Sequence, residues 1–330
     1  MESVKTAMNT IPSIFNNNYL HYTVIGDNNK IDKNAKYRVC VVVLNRGQRL
    51  LKEEQFSALS DLDVAQIISV EPPESFLGAS AMAKKFKKLS FIVPATPISQ
   101  GDGINIAVEE AKCPYILVIW NNMRVALTAL SNSVLERSHE HNDVVTAAIL
   151  YNRFGDILPT SFEPTFFKKK RLNVIKVVPS MEHPQTLIPY DYCGLYNRRL
   201  FKQLGGFDSS FKTPYWQLLD FGMRCYMWGH HIRFDNQLRF DFQSELEPLD
   251  ETVNQDYPLF YLKNLAVKIK KGQAILPKWA YISYKKMIHG SRINDSVTYP
   301  LVKEWVNYYK QVFIREATDV VYSWESWVDE

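Results

Sequence analysis

Continuous runs of apolar residues, separated by polar turns, set the pattern of the first half of the chain. The run Tyr37–Leu44 (YRVCVVVL) is β-branched and apolar almost throughout, without alternating polar positions. Such continuity indicates a strand that is buried on both faces, as in a parallel sheet covered by helices. The run Tyr115–Trp120 (YILVIW) has the same character and follows Pro114. We therefore expect these two runs to form central strands.

Helical patterns lie between the apolar runs. Their alternation with strands predicts an α/β fold in which a mixed, mostly parallel sheet lies between helices. The other predicted strands are Ala65–Val70, Leu89–Val93, Asp143–Leu150 and Val174–Val178. The predicted helices are Arg49–Leu59, Met82–Lys88, Ile104–Ala111 and Tyr215–Trp228.

The pattern changes twice along the chain, which predicts three regions. Residues 1–36 are rich in Asn and are predicted to form an irregular N-terminal lead-in. Residues 37–250 carry the alternation of strands and helices and form the predicted main domain. Residues 251–330 have a helical and aromatic pattern and form a predicted helical C-terminal extension.

Two stretches of this extension, Tyr261–Lys271 and Trp305–Trp327, combine apolar stripes with Lys and Trp. Amphipathic helices of this kind lie on a membrane as a peripheral contact, form a homodimer interface, or pack back onto their own sheet. Packing back is the commonest outcome, and it is the one we expect here.

Composition narrows the class of protein. The chain has 330 residues, of which 46% are hydrophobic, so it has ample material for a core. Its net charge of +4 gives no electrostatic support for nucleic acid as a partner. The four cysteines form no CxxC pair, so buried free thiols are expected. No signal peptide and no apolar run near the ~20 residues of a membrane span are found, which predicts a soluble, cytoplasmic protein.

Several segments carry a more specific signal. Strand Tyr37–Leu44 ends in Asn45-Arg46, and the second strand ends in Glu71. A Gly-rich stretch, SQGDGINIAVEEAKCP, leads into YILVIW. Later come YDYCGLYNRRLFKQLGGFDSSF and PYWQLLDFGMRCYMWGHHIRF. In this order, over about Tyr37 to Phe240, these segments resemble family 2 glycosyltransferases, whose catalytic domain has a GT-A fold.

The resemblance implies transfer of a sugar from a nucleoside diphosphate donor to a carbohydrate or lipid-linked acceptor. It implies that Asn45 and Arg46 border the nucleotide, that Glu71 contacts the base or ribose, and that Asn105 lines the donor pocket. The carboxyl ends of the strands are also where ligands bind in open α/β sheets. A carboxylate such as Glu71 accepts hydrogen bonds from ribose hydroxyls or a base N–H. The alternative is that Glu71 faces solvent at a strand end.

The sequence departs from the family at the metal site. Family members carry Asp-x-Asp after this strand to hold a divalent cation, Mn²⁺ or Mg²⁺, whereas this chain has Trp120-Asn121-Asn122. Neutral Asn oxygens bring no charge to a hard cation, so metal affinity should fall steeply. Asn121 and Asn122 would then lie at the diphosphate, and Asn122 and His230 are only weak metal candidates. Arg124 either supplies positive charge instead or is a solvated loop residue.

The catalytic base is the second departure. Family members use a carboxylate, commonly in a Glu-Asp pair, to take the proton of the acceptor hydroxyl. The matching residues here are Gln217-Leu218, which cannot accept it. Asp220 survives on nearly the same helix face and is the candidate base, with Gln217 facing the acceptor. Alternatively, Asp220 pairs with Arg224 one turn later.

Three hypotheses remain open. The first is a family 2-like glycosyltransferase, and the second is a catalytically silent GT-A domain that binds a partner or glycan. The third is a nucleotidyltransferase, for which the loop Asn45–Arg49 is only partly suitable. Three further features are expected to be solvated surface, although the two basic runs also suit phosphate or anionic lipid: Lys84–Lys88, Phe166–Arg171 and His139–His141. No nucleophile elbow, P-loop or dinucleotide fingerprint is present, so hydrolases, NTPases and dehydrogenases lack support.

Overall fold

The apolar runs of the sequence form strands, as their β-branched composition predicts. The computed structural model describes residues 2–7, 20–27, 31–46, 52–73, 78–126, 128–167, 171–242, 249–289 and 295–325. Within these residues the strands are β1 (Glu2–Ala7), β2 (Leu20–Ile25), β3 (Tyr37–Leu44), β4 (Val64–Val70), β5 (Leu89–Pro94), β6 (Tyr115–Trp120), β7 (Met123–Val125), β8 (Asp143–Tyr151), β9 (Ser161–Phe167), β10 (Arg171–Val177), β11 (Gly194–Asn197), β12 (His231–Phe242), β13 (Lys268–Lys270) and β14 (Gln273–Ile275).

Side-chain caps begin three of the described helices; one of them is the Ser99 hydroxyl, which accepts the N–H of Asp102. Ten α-helices are described. They are α1 (Lys52–Asp61), α2 (Ala79–Lys85), α3 (Gln100–Glu110), α4 (Asn132–Glu140), α5 (Arg198–Leu204), α6 (Pro214–Met227), α7 (Tyr257–Phe260), α8 (Lys278–Met287), α9 (Asp295–Tyr308) and α10 (Ala317–Glu325). A 3-10 turn covers Tyr190–Tyr192, and a π-helical turn covers Tyr261–Leu265.

One mixed sheet organises the described chain, in the strand order β1-β2-β5-β4-β3-β6-β11-β8-β12-β7. Strands β5, β4, β3 and β6 are parallel neighbours, and β12 is parallel to β8. Strand β11 is antiparallel to both β6 and β8, so β8 and β12 run in the same direction as β6. The predicted α/β fold with a mostly parallel sheet is therefore confirmed. Strands β4 and β5 are buried along their whole length, which explains their continuous apolar runs.

The predicted irregular lead-in is wrong for part of residues 1–36. Strand β2 pairs antiparallel with β5, and β1 pairs with β2. The alternating segment LHYTVI buries Tyr22 and Val24, and the Tyr22 hydroxyl donates to Glu110 Oε1 at 2.8 Å. Pairing with β2 satisfies backbone groups that β5 would otherwise expose at the edge of the sheet.

Several element boundaries also differ from the predicted ones. Helix α3 begins at Gln100 rather than Ile104 because Ser99 caps it. Helix α2 ends at Lys85, before the predicted end at Lys88, which instead pairs with Asp32 at 3.0 Å.

The C-terminal residues pack back onto the main domain, the outcome that we expected. Trp228 at the end of α6 stacks on Trp305 of α9, with ring centroids 6.3 Å apart. Tyr226 meets Trp324 of α10 at 4.7 Å. The region is not purely helical, because it includes the hairpin of β13 and β14. Helix α8 leaves Trp279 exposed, so membrane contact and dimerisation remain predictions for that face.

The sequence also gives expectations about the cysteines and about membrane-spanning helices. All four cysteines are free and buried, as predicted. Across the part of the chain that the structure describes, we find no helix with the length and apolar character required to traverse a bilayer.

Candidate functional site

Strands β3, β4 and β6 end side by side, so the residues that follow them lie together at one edge of the sheet. The Asn45 amide donates from Nδ2 to the carbonyl of Val70 at 2.7 Å. The backbone N–H of Asn121 donates to the carbonyl of Leu44 at 2.8 Å. The predicted convergence of Asn45, Glu71 and Asn121 is therefore present.

Glu71 does not face solvent, since the residue is only 4% exposed. Lys52 Nζ, at the start of α1, lies 2.6 Å from both carboxylate oxygens. The Ser69 hydroxyl donates to Oε1 at 2.7 Å, and Asn45 Nδ2 lies 3.3 Å from the same oxygen. Burial of a carboxylate requires such partners. The result is a fixed, polar patch with an ammonium beside it.

A small cavity adjoins this patch. It has a volume of about 190 Å³, with aliphatic and proline walls that include Pro97 and Ile98, and with Asn45, Glu71 and Trp120 also lining it. Asn45 Oδ1 is buried, and no described residue donates to it. Pockets that enclose a drug-sized ligand measure about 300–1,000 Å³, so this one encloses only part of a nucleotide sugar. A slot with apolar walls and polar side chains at one end suits a planar ring that carries an N–H.

Arg46 places a cation beside the cavity. Its guanidinium carbon lies 3.5 Å from the centroid of the Trp120 ring, and Nη2 forms an ion pair with Asp191. Trp120 Nε1 donates to the backbone carbonyl of Asp191 at 2.9 Å. Asp191 and Tyr192 have φ of 52° and 64°, in the left-handed region that non-glycine residues rarely adopt. Consecutive strained residues of this kind tend to cluster at functional sites.

The side chain of Asn121, which follows β6, is hydrogen-bonded to the backbone that follows β3. Its Oδ1 accepts the backbone N–H of Arg46 at 3.2 Å, and its Nδ2 donates to the carbonyl of Arg46 at 3.1 Å. Both ends of this amide are thus used within the protein, in place of the predicted contact with the diphosphate. Asn122 is partly buried in the turn that follows, and Arg124 is exposed on β7, opposite Asp241 of β12.

The weak metal candidates Asn122 and His230 cannot share an ion. His230 precedes β12, which runs in the same direction as β6, so it lies at the amino-end edge of the sheet. Asn122 follows the carboxyl end of β6, and a six-residue strand spans about 20 Å. Among the residues that the structure describes, no three His, Cys, Asp or Glu side chains group as metal ligands. These described residues therefore form no ready cluster of ligands for the divalent cation that the resemblance implies.

Asp220 is fully buried. It accepts from Arg224 Nη2 at 3.0 Å, which confirms the alternative of an ion pair one turn apart. Lys263 Nζ lies 2.9 Å and Asn264 Nδ2 3.0 Å from its other oxygen. With a side chain that is 0% exposed, Asp220 has no path to an acceptor hydroxyl in this arrangement. The predicted role of Asp220 as base is not compatible with this burial.

Lys263 joins the C-terminal region to this cluster. Its Nζ also lies 2.6 Å from Asp208 Oδ2, and both side chains are almost completely buried. Burial acts to raise the pKa of Asp208, but the ammonium of Lys263 and the amide of Ser210 outweigh it and hold the pKa below its usual range. The two carboxylates thus share one ammonium.

Asn105 and Gln217 also have structural roles. Asn105 Nδ2 donates to the carbonyl of Phe207 at 2.7 Å, and its Oδ1 accepts the N–H of Phe207 at 3.0 Å. Gln217 Oε1 accepts the Tyr192 hydroxyl at 2.8 Å, and Nε2 donates to the carbonyl of Asp208 at 3.0 Å. Both side chains are buried and neither lines the cavity. They fix the turn after α5, rather than contacting the donor or acceptor as predicted.

Comparison with solved structures returns glycosyltransferases. The chain is similar to TarS 1-349 from S. aureus in complex with UDP-GlcNAc, with 14% identity over 83% of this chain and 72% of that one, at a TM-score of 0.48. It is also similar to GalNAc-T7 with UDP, GalNAc and Mn²⁺ (10% identity, 84% and 58% coverage, TM-score 0.48). A third is the mannosyltransferase PcManGT from Pyrobaculum calidifontis with GDP-Man and Mn²⁺ (10% identity, 88% and 74% coverage, TM-score 0.45).

These proteins are glycosyltransferases, the class whose GT-A fold the sequence predicts. At such TM-scores they carry no argument about the donor, metal or reaction of this chain. No protein-family model and no curated protein matches it.

Some residues of the site carry no signal in the sequence. Lys52 and Lys263 reach their carboxylates from 19 and 55 residues away. Asp191 lies in YDYCG, which the resemblance covers without marking that residue. The loop Gly47–Arg49, on which the nucleotidyltransferase hypothesis depends, and the three lysines of the basic run Phe166–Arg171 lie outside the described residues. His139–His141 is exposed as predicted, but at the end of α4 rather than in a free turn.

Proposed function

We propose that this chain binds a nucleoside diphosphate sugar at the carboxyl edge of its sheet and is a glycosyltransferase-like protein. The single observation that carries the proposal is the cavity lined by Asn45 and Glu71, with Asn45 Oδ1 buried and unfilled. A base N–H donates to that oxygen, and a ribose hydroxyl donates to the carboxylate of Glu71. The cavity encloses the nucleoside, and the rest of the donor extends past Trp120.

The diphosphate binds next to Arg46 and Lys52, without a metal ion. A guanidinium fork matches a phosphate in two parallel hydrogen bonds. Arg46 is already ion-paired with Asp191, so the diphosphate replaces Asp191 as its partner. Binding of the donor then removes the ion pair with Arg46 from the carboxylate of Asp191. A carboxylate that loses its cation becomes a stronger proton acceptor.

Asp191 is accordingly the proposed base in place of the buried Asp220. The acceptor hydroxyl gives its proton to Asp191, and its oxygen bonds to the anomeric carbon of the sugar. The bond between that carbon and the diphosphate oxygen breaks, and the electron pair leaves with the nucleoside diphosphate. Arg46 and Lys52 stabilise the charge that develops on the leaving group.

Calorimetric titration with UDP and GDP sugars tests donor binding. We expect binding in EDTA, and a loss of about 10- to 100-fold in Arg46→Gln, because a hydrogen bond to a charged group contributes about 1.5–3 kcal/mol. Arg124→Gln is the matched control, since it removes the same charge from an exposed position on β7. Absence of binding by every donor, or binding that requires Mn²⁺, would contradict the proposal.

A second function is favoured by one observation, the burial of Asp220 beneath Lys263 and Arg224. In this alternative the domain binds the donor or a glycan and does no chemistry. Release of nucleoside diphosphate from a bound donor separates the two functions. If Asp191→Asn abolishes the release of nucleoside diphosphate and does not weaken donor binding, the result supports sugar transfer. If the donor binds and no acceptor causes nucleoside diphosphate to be released, the result supports the silent domain.

A further inference from the structure

A second concavity lies at the opposite edge of the sheet, where β6 begins and β11 ends. Its volume of about 800 Å³ lies within the range of ligand-binding pockets. Three separate parts of the chain line it: the segment after α3, the end of α4, and α5 with the residue before it. The candidate site at the carboxyl edge uses none of these residues.

The lining is strongly basic. Lys112, Arg198, Arg199 and Lys202 all border the concavity, and the described residues that line it include no carboxylate. These four side chains carry as much formal positive charge as the net +4 of the whole chain. His139 adds to it when protonated. Like charges held together in this way repel one another, and a bound anion relieves that repulsion.

Only one described carboxylate offsets this charge through an ion pair with a lining residue. Glu109 Oε2 lies 2.8 Å from Lys202 Nζ, and the two side chains are 27% and 37% exposed. A pair with that exposure is weak and easily exchanged for a phosphate. The cluster therefore keeps most of its charge for a ligand.

Two of the cations form hydrogen bonds within the protein that favour one orientation. Arg198 Nε donates to the carbonyl of Val108 at 2.8 Å, and Arg199 Nη1 donates to Gln203 Oε1 at 3.3 Å. The bond to Val108 uses Nε, so Nη1 and Nη2 of Arg198 remain for a ligand. Fixing a guanidinium in advance lowers the entropy lost when it binds an anion.

Part of the lining of the concavity is less polar. It includes Cys113, Pro114 and Tyr115. Burial raises the pKa of the Cys113 thiol to about 11, so this cysteine is protonated and unreactive at neutral pH. Pro114 is exposed and the Tyr115 ring half-buried, which leaves apolar surface for the organic part of a ligand. Basic side chains beside such apolar surface suit a small molecule with an anionic end.

We propose that this concavity binds a phosphate-bearing small molecule, with its phosphate on Arg198, Arg199 and Lys202 and its organic part against Pro114 and Tyr115. Phosphate is favoured over a carboxylate because its oxygens can engage two guanidinium forks at once. The site is independent of sugar transfer, since it lies at the other edge of the sheet.

Calorimetric titration with inorganic pyrophosphate at about 0.1 M salt, where the Debye length is about 10 Å, tests the site. In the double variant Arg199→Gln with Lys202→Gln we expect affinity to fall at least tenfold. Arg153→Gln with Lys303→Gln is the matched control, because it removes the same charge from exposed residues elsewhere, and its affinity should stay within twofold. All four side chains are exposed, so the melting temperature should not change.

Three outcomes would overturn the proposal. One is no pyrophosphate binding and no vesicle binding, and another is an equal loss in both double variants. The third is binding that is lost in Arg46→Gln but kept in the variant with Arg199→Gln and Lys202→Gln (the α5 double variant). That result would show that the anion binds at the candidate site instead. Vesicles of phosphatidylglycerol, against phosphatidylcholine, identify the source of the phosphate. Vesicle binding that the α5 double variant loses indicates a lipid headgroup, and pyrophosphate binding alone indicates a soluble ligand.

Discussion

Removal of the buried ammonium of Lys263 tests most directly how the C-terminal region is joined to the main domain. Its Nζ lies 2.6 Å from Asp208 and 2.9 Å from Asp220, and its side chain is 1% exposed. Lys263→Met keeps the apolar stem but leaves the two carboxylates with fewer partners. Removing one partner of a buried ion pair costs about 3–5 kcal/mol of unfolding free energy. We expect the urea midpoint to fall by about 1 M or more, at a slope of about 3 kcal/mol per molar.

A matched control and a rescue variant make this result specific. Lys268→Met removes a partly exposed ammonium from Glu316, 2.6 Å away, and should cost less than about 1 kcal/mol. Adding Asp208→Asn to Lys263→Met removes one uncompensated charge and should restore much of the loss. Equal midpoints for Lys263→Met and Lys268→Met would refute the reasoning. That result would also favour the proposed boundary at residue 250 as a true division between separate units.

The pH dependence of the same variants follows from the pKa of Asp208. That pKa is held below its unfolded value near 4, so the stabilisation in the wild-type protein is present above about pH 4 and is lost only below it. In Lys263→Met, burial acts without the ammonium and raises the pKa. The variant therefore gains stability as the pH falls from 7 towards 5, and the difference from wild type should be largest at pH 7. Urea midpoints at pH 5 and pH 7 measure it.

Two further predictions concern stability. In Gly222→Ala the new Cβ would lie 1.9 Å from the carbonyl oxygen of Leu187, so calorimetry should show a free energy of unfolding that is lower by about 3 kcal/mol or more. In Gly272→Ala the new Cβ meets nothing within 4 Å, and the left-handed backbone should cost only about 1–2 kcal/mol. Equal losses would show that α6 does not pack closely at Gly222. Burial outweighs the nearby Arg233 and raises the pKa of Asp143 to about 7, so the wild-type protein loses stability as the pH rises from about 4 to 7. Asp143→Asn should therefore increase the free energy of unfolding at pH 8, by at most about 4 kcal/mol, and so raise the melting temperature there. At pH 4 the melting temperature should not change. A lower melting temperature at pH 8 would contradict the assignment.

The central strands and the convergence of their ends are predictable because both depend on local pattern and on topology. Continuous β-branched runs mark β3 and β6, and the carboxyl ends of parallel strands must meet at one edge. The pairing of Asp220 with Arg224 is also predictable, since it is a contact between successive turns of one helix. These features need no knowledge of distant packing.

The remaining features depend on contacts between distant parts of the chain. Lys263 contacts Asp208 only because the π-helical turn, which lies far along the chain, packs against α6. The resemblance makes His230 a metal candidate, but the direction of β12 puts this residue at the opposite edge of the sheet. That direction is not encoded in the residues of β12 itself. Asn105 and Gln217 are in the expected segments, but whether an amide turns to a ligand or to the backbone is decided by neighbouring loops. Strand β2 escapes prediction because Asn-rich sequence surrounds a short alternating segment.

The position of Lys263 in the chain has a consequence for biosynthesis. A ribosome releases Asp208 and Asp220 well before the lysine that neutralises them. Until residue 263 has left the exit tunnel, folding of the main domain would bury these two carboxylates without this cation. Loss of one partner of a buried ion pair costs about 3–5 kcal/mol, so we expect a product terminated near residue 250 to be less stable and more readily cleaved by proteases.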